Sequence, residues 1–336
     1  MKNSTSHPPL AVTIGDTAGI GPEVALRALS QPDMPRCVLI GPPAAAVRAR
    51  DLVAPGVEIT VVEAPEEALN LRSGVAMIPS SRSQPHPYGE VSRQAGQMAY
   101  DAIMMAISLA KAGRVAGIVT GPIHKAALAA ANIPFPGHTE MLEQHSGVRD
   151  AGGRVAMMLA NDVLRTVLVT IHVSLREAIE QADHAAQMRT IRLAHKACVA
   201  FGIGNPRIAV AGLNPHAGED GLFGREEIEI IAPAIAEARA EGMDVSGPHP
   251  GDTVFMQART GKFDIVVAQY HDQGLIPIKY MGLDKGVNVT LGLPFVRTSP
   301  DHGTAFDIAG QGIANPDSMV QAIRMADRMS RSKLRA

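Results

Sequence analysis

Three histidines stand where a metal ion could use them. His172 ends the run Val-Leu-Val-Thr-Ile-His, His216 follows Ile-Ala-Val-Ala-Gly-Leu-Asn-Pro, and His271 follows Ile-Val-Val-Ala-Gln-Tyr. Each run is apolar and β-branched, so each histidine falls just past the carboxyl end of an expected strand, where open α/β sheets place their ligands. Imidazole is the commonest ligand for divalent transition metals, and three protein ligands with one open position suit a Lewis acid. Any one of them alone reads more readily as a core or surface histidine. On spacing alone, a metal site and three ordinary histidines remain balanced. No His-Glu-x-x-His motif is present, so a thermolysin-type protease is unsupported.

A second group is Pro136-Gly137-His138-Thr139-Glu140, just before the helical run Glu140–His145. Free amides at a helix start can hold an anion. The plainer alternative is an ordinary cap in which Thr139 satisfies its own backbone. A third group is Lys279, Asn288 and Arg297, near the ends of late strands. Arg as a fork and Lys as a point charge suit carboxylate and phosphate. The alternative is a solvated Lys and a surface-paired Arg. The turn Gly15-Asp16-Thr17-Ala18-Gly19-Ile20-Gly21-Pro22-Glu23 follows a strand and opens a helix, with Pro in the first turn. It has no Lys of an NTPase loop, and no complete Gly-x-Gly-x-x-Gly occurs, so motif alone gives no nucleotide site.

Positioning these groups requires strands that alternate with helices. Strands are expected at 10–14, 37–40, 57–62, 115–120, 155–159, 165–171, 207–211, 264–268 and 287–291. Helices are expected at 94–112, 182–201 and 225–241. That alternation predicts an α/β protein with largely parallel strands. Only Ala160-Asn161-Asp162 and a few neighbours separate 155–159 from 165–171, which predicts a hairpin and hence a mixed sheet in the second lobe. A chain of 336 residues exceeds one ordinary core. We expect one lobe of residues 1–125 plus 285–336 and a second of 126–284.

Composition excludes several classes. A net charge of −2 and a pI near 6.6 give no electrostatic reason to bind nucleic acid or an anionic membrane. No apolar stretch approaches the roughly 18 residues of a membrane span, and Leu10–Ile14 is too short for a signal peptide, so a cytoplasmic protein is expected. Cys37 and Cys198 are isolated thiols that read as inert packing in a reducing compartment. Aromatics are 3% with no Trp, so the core must come from aliphatic side chains and the 16 Met.

Seven segments, in order, carry a resemblance. They are Ala18-Gly-Ile-Gly-Pro-Glu23, Thr120-Gly-Pro-Ile-His-Lys125, Pro136-Gly-His-Thr-Glu140, Leu213-Asn-Pro-His-Ala-Gly-Glu219, Tyr270-His-Asp-Gln-Gly-Leu275, Gly286-Val-Asn-Val-Thr-Leu-Gly-Leu-Pro294 and Asp301-His-Gly-Thr-Ala305. Together they resemble the 4-hydroxythreonine-4-phosphate dehydrogenase family from about Leu10 to Ala326. The resemblance implies a two-lobed α/β/α fold like isocitrate and isopropylmalate dehydrogenases, with an active cleft between lobes, and a homodimer with its site at the subunit interface. It implies NAD (or NADP) bound without a Rossmann motif, and one divalent metal (Zn, Mg, Co or Mn) on His172, His216 and His271. The expected sharing gives His172 and His216 from one chain and His271 from its partner. His138, Thr139, Lys279, Asn288 and Arg297 become the substrate-binding set. The implied reaction oxidises the C3 hydroxyl of 4-phosphooxy-L-threonine and then decarboxylates it to 3-amino-2-oxopropyl phosphate, in pyridoxal phosphate biosynthesis. His138, Asp252 and Asp272 are candidates for the base that reaction needs.

The sequence departs from the family pattern at Gly15-Asp16-Thr17, where biosynthetic members tend to carry Gly-Glu-Pro. The stretch Arg207 to Phe223 also resembles a branch that acts on D-threonate or D-erythronate 4-phosphate. A more distant branch oxidises the dihydrodiol of terephthalate, but Gly137-His138-Thr139 favours a phosphorylated substrate. Two readings of other classes compete: a metal hydrolase built on the same histidines, and a sensor that has kept the fold without turnover.

Overall fold

The computed structural model describes residues 7–282 and 286–333. In chain order the elements are β1 (Leu10–Thr13), α1 (Gly21–Leu29), β2 (Cys37–Gly41), α2 (Pro43–Val53), β3 (Ile59–Val61), β4 (Val75–Pro79), α3 (Arg93–Lys111), β5 (Gly117–Thr120), α4 (Lys125–Ala130) and α5 (His138–Ser146). They continue with β6 (Ala156–Ala160), β7 (Arg165–Leu168), α6 (Leu175–Gln181), α7 (His184–Ala200), β8 (Ile208–Ala211), α8 (Ala232–Ala240), β9 (Val245–His249) and α9 (Val254–Arg259). The last are β10 (Ile265–Ala268), α10 (His271–Tyr280), β11 (Val287–Leu291), β12 (Val296–Pro300) and α11 (Asp317–Lys333).

Contacts divide the chain into two compact units, one running to Val155 and resuming at Leu293, the other Ala156–Gly292. The expected divisions were near residues 125 and 285, the second of which lies outside the described residues. The first division moves because α4 and α5 pack on α3. Leu128, Met141 and Leu142 enter the same core as Ala102 and Ile103.

In the first unit the strands run in the order β3-β4-β2-β1-β5-β12, all parallel. The chain leaves β1 towards β2 on one side, while β5 and β12 lie on the other. The β1 and β5 carboxyl ends therefore flank a topological switch point, the usual ligand position in such sheets. In the second unit the order is β11-β6-β7-β10-β8-β9. Here β6 runs antiparallel to both neighbours, and the remaining pairs are parallel. The β6–β7 hairpin, and with it the mixed sheet, agrees with the sequence reading.

Local chemistry fixes the helix starts. Ser92 caps α3 by accepting from the Ala95 amide at 3.1 Å, and Asp183 caps α7 through the Ala186 amide at 2.8 Å. Along α3, Ala95, Met98, Ala102, Ala106 and Ala110 recur at helical spacing and are buried. Buried Met77, Met98, Met141, Met158, Met188 and Met319 supply bulk that aromatics would otherwise give. Desolvation raises both thiol pKa values, that of Cys198 to about 12, so both thiols are packing groups. Among the described residues no helix is long and apolar enough to cross a membrane.

α3 and α4 approach so closely that a Cβ on Gly96 would strike the Ala127 carbonyl. Gly96→Ala should therefore lower the melting temperature, even though Ala favours a helix over Gly by about 1 kcal/mol. A raised melting temperature would show that the helices have room to separate.

Candidate active site

Parallel pairing puts the three histidines at one sheet edge. β7, β10 and β8 are adjacent and parallel, so His172, His271 and His216 all leave from their carboxyl ends. Asp252 follows the next strand, β9. A cavity of about 450 Å³ opens there, lined by Asn214, His216, Asp252, Tyr270, Asp272 and Gln273 among others. A second, of about 260 Å³, lies over His172 and His271 and also touches Tyr270 and Asp272.

His172 and His271 form a pair, with ring centroids 5.6 Å apart at 44°. Two imidazoles on one tetrahedral ion, each bonded at about 2.1 Å, would bring their centroids to about 5 Å, so this spacing suits two ligands of one metal. Asp272, the second residue of α10, lies 2.7 Å from His271 Nδ1. With the proton of that contact on Nδ1, Nε2 keeps its lone pair, the usual carboxylate–histidine arrangement behind a metal. His216 stands apart, with its ring 6.1 Å from that of Phe223. Among the described residues no three His, Cys, Asp or Glu side chains converge as a metal group. Within the described chain the imidazoles of His172 and His271 are thus neighbours.

The His216 loop is strained. From His216 to Asp220 five consecutive residues have positive φ, between 45° and 84°, and only Gly218 is a glycine. Left-handed backbone costs a non-glycine residue on the order of 1–2 kcal/mol, so the surroundings must impose it. Glu227, 2% exposed, supplies the constraint. Its Oε1 accepts from the Leu213 and Asn214 amides at 2.7 Å each, and its Oε2 accepts from Asn214 Nδ2 at 2.9 Å. Gln273 braces the same edge, donating to the Gly212 carbonyl at 2.8 Å and accepting from the Gln269 amide at 2.7 Å. Sequence reading missed both: nothing in a helical run marks Glu227 as buried, and Gln273 reads as ordinary helix surface. The remaining predicted residues of this unit, Lys279 near the end of α10 and Asn288 in β11, are half-buried.

In the first unit Arg297 and His138 come together. Arg297 is 3% exposed and donates to Thr120 Oγ1 at 2.6 Å. Burial pushes its guanidinium down to about 9, which leaves it charged at neutral pH. His138 is pushed well below the usual imidazole range, first by burial and then by the Arg297 charge, while a hydrogen bond to the Gly121 backbone acts the other way. It is therefore neutral, and its Nε2 is enclosed without a partner. Thr139 is the second residue of α5. The cap position belongs to Gly137 and no side chain caps the helix, so the plain Thr139 cap does not form.

Asp16, at the switch point, is wholly buried. Its Oδ1 accepts from the Ala18 amide at 2.9 Å, its Oδ2 has no partner, and burial raises its pKa. Glu23 on α1, also buried, accepts from the Gly310 and Gly312 amides at 2.6 and 3.1 Å and so ties down the segment that follows β12.

The family model described as "Pyridoxal phosphate biosynthetic protein PdxA" matches residues 33–326. A 4-hydroxythreonine-4-phosphate dehydrogenase of Beijerinckia indica subsp. indica is 60% identical over 324 residues, covering 96% of this chain and 95% of its own. A D-threonate 4-phosphate dehydrogenase of Pectobacterium atrosepticum is 44% identical over 322 residues, with 94% and 98% covered. The crystal structure of a 4-hydroxythreonine-4-phosphate dehydrogenase from Klebsiella pneumoniae matches with a TM-score of 0.85 at 41% identity, covering 97% of this chain and 99% of that one. Matched along nearly its whole length in sequence and in fold, the chain is an oxidoreductase and belongs to the PdxA family.

Proposed function

We propose that the chain oxidises the C3 hydroxyl of 4-phosphooxy-L-threonine, with NAD as hydride acceptor and a divalent metal, and that the β-keto acid formed loses CO2 to give 3-amino-2-oxopropyl phosphate. The observation that carries this reading is the His172–His271 pair with Asp272 behind it. The 60% identical relative of that name supports the substrate. When bound, the metal supplies a Lewis acid that lowers the pKa of the substrate hydroxyl. His172, His271 and His216 would hold it. Arg297 offers a fixed, desolvated positive charge to an anionic end of the substrate, with Lys279 and Asn288 as further donors. Asp272 is engaged by His271, and Asp252 is exposed. His138 is the enclosed base candidate, and burial and the Arg297 charge keep it neutral and make it a weak base.

Among the described residues His216 forms no metal group with the other two histidines, and Leu175, Leu222 and Ile276 near them are well exposed. Apolar exposure of that kind marks an interaction face. We therefore assign this face to a second copy, with His172 and His271 from one chain and His216 from its partner. A second substrate reading, oxidation of D-threonate or D-erythronate 4-phosphate, is favoured by the 44% identical relative and by Asp16 in place of the biosynthetic Glu.

Dialysis against a chelator should abolish NADH formation, and a divalent ion should restore it. Full turnover by the metal-free protein would remove the three-histidine site from the reaction. A spectrophotometric comparison of 4-phosphooxy-L-threonine, D-threonate 4-phosphate and D-erythronate 4-phosphate should show the highest kcat/KM for the first. A clear preference for either sugar acid would transfer the protein to the second reading. Mixing inactive His172→Ala and His216→Ala proteins after subunit exchange should restore roughly a quarter of all sites in a two-fold dimer. His172→Ala mixed with His271→Ala should stay inactive, and recovery in that mixture alone would reverse the assignment of ligands to chains.

A further inference from the structure

We infer that Glu227 is a positioning residue for His216: its buried carboxylate folds the loop after β8 into its left-handed turn and so sets where that imidazole can meet a metal. The inference rests on the reading of His216 as a ligand.

The loop wraps the carboxylate closely. Both oxygens are used, Oε1 by two successive amides and Oε2 by Asn214 Nδ2. Asn214 is also held by Glu226 at 2.6 Å. A Cβ on Gly218 would lie 2.7 Å from Glu227 Oε2, and one on Gly212 would lie 3.1 Å from Oε1 and 2.8 Å from the Ala217 Cα. The two glycines thus leave the space the carboxylate fills. Glu227 opens a π-helical turn, Glu227–Ile231, directly before α8. Such wide turns insert a residue into a helix and re-aim the side chains around them, and they are frequent at functional sites.

The bonds fall on Leu213 and Asn214, immediately before Pro215 and His216. They fix the backbone at the entrance to the turn, while hydrogen bonds from Ala217 to Asn214 and from Phe223 to Gly218 close it. Without the carboxylate, two part-buried amides would lose their acceptor and the left-handed residues would lose the anchor that opposes relaxation to ordinary backbone. The ring of His216 would move while its own chemistry stayed intact. A Gln at 227 keeps the size but turns an NH2 towards donors that need an acceptor.

The test is cobalt(II) binding to the metal-stripped, full-length protein, followed by its visible absorption and by calorimetry. We expect Glu227→Gln to weaken cobalt affinity about 10- to 100-fold, the range for groups that orient a metal ligand. We also expect an altered cobalt spectrum and an unchanged far-ultraviolet circular dichroism. In a His216→Ala background the same substitution should add no further loss. Wild-type affinity in Glu227→Gln, or an equal loss in both backgrounds, would overturn the inference while leaving His216 as a ligand. Unchanged cobalt binding in His216→Ala itself would remove the metal reading and the inference together. Should Glu227→Gln fail to fold, Gly218→Ala serves instead. It crowds the carboxylate without removing it and should give the same loss and the same coupling to His216, and full affinity there would equally overturn the proposal.

Discussion

A loop leaving the carboxyl end of a parallel strand carries amides that no neighbouring strand takes up, and buried amides must find acceptors. In both units a buried glutamate provides them. Glu23 gathers Gly310 and Gly312, and Glu227 gathers Leu213 and Asn214. Each carboxylate is buried, and the hydrogen bonds it accepts offset part of the cost of enclosing it. The arrangement gives stiff loops on a stiff sheet, as a site needs if its side chains are to be in place before the substrate arrives. The candidate chemistry depends on these acceptors as much as on the histidines themselves.

The first unit manages charge in a complementary way. Arg297 stays cationic inside a strand, and its field helps to keep His138 neutral. A cation and a neutral imidazole side by side can hold an anionic group and share a hydrogen bond with neighbouring atoms, whereas two cations would repel each other. Thr120 holds the guanidinium from the adjacent strand, so the charge is placed by sheet pairing and not by a mobile side chain.

Much of this could be read in the sequence. The β-branched runs before His172, His216 and His271 located the strands, and their shared edge followed from the carboxyl-end rule. The hairpin was legible because the short Asn161-Asp162 connection allows little else. Three strands escaped. β12 reads Val-Arg-Thr-Ser-Pro and is wholly buried, β9 contains Gly247 and Pro248, and β4 ends in Pro79. Composition hides such strands, because their place in the sheet is fixed by neighbours far away in sequence. For the same reason the histidines could be named but not grouped. Spacing gives no means of foreseeing that β10 lies between β7 and β8, or that His216 sits on a left-handed loop. Glu227 was invisible because its burial depends on a partner loop folding around it.

The chain's two cysteines have a practical side. Cys198 is buried and Cys37 half-buried, and burial raises both thiol pKa values, so little thiolate forms on either at neutral pH. Both thiols are therefore slow partners for a maleimide without any residue being replaced. A cysteine introduced at Tyr280, which is 92% exposed, would be a far more reactive handle, ready for a spin label or a fluorophore. The surroundings of that helix end could then be read on an otherwise unaltered molecule.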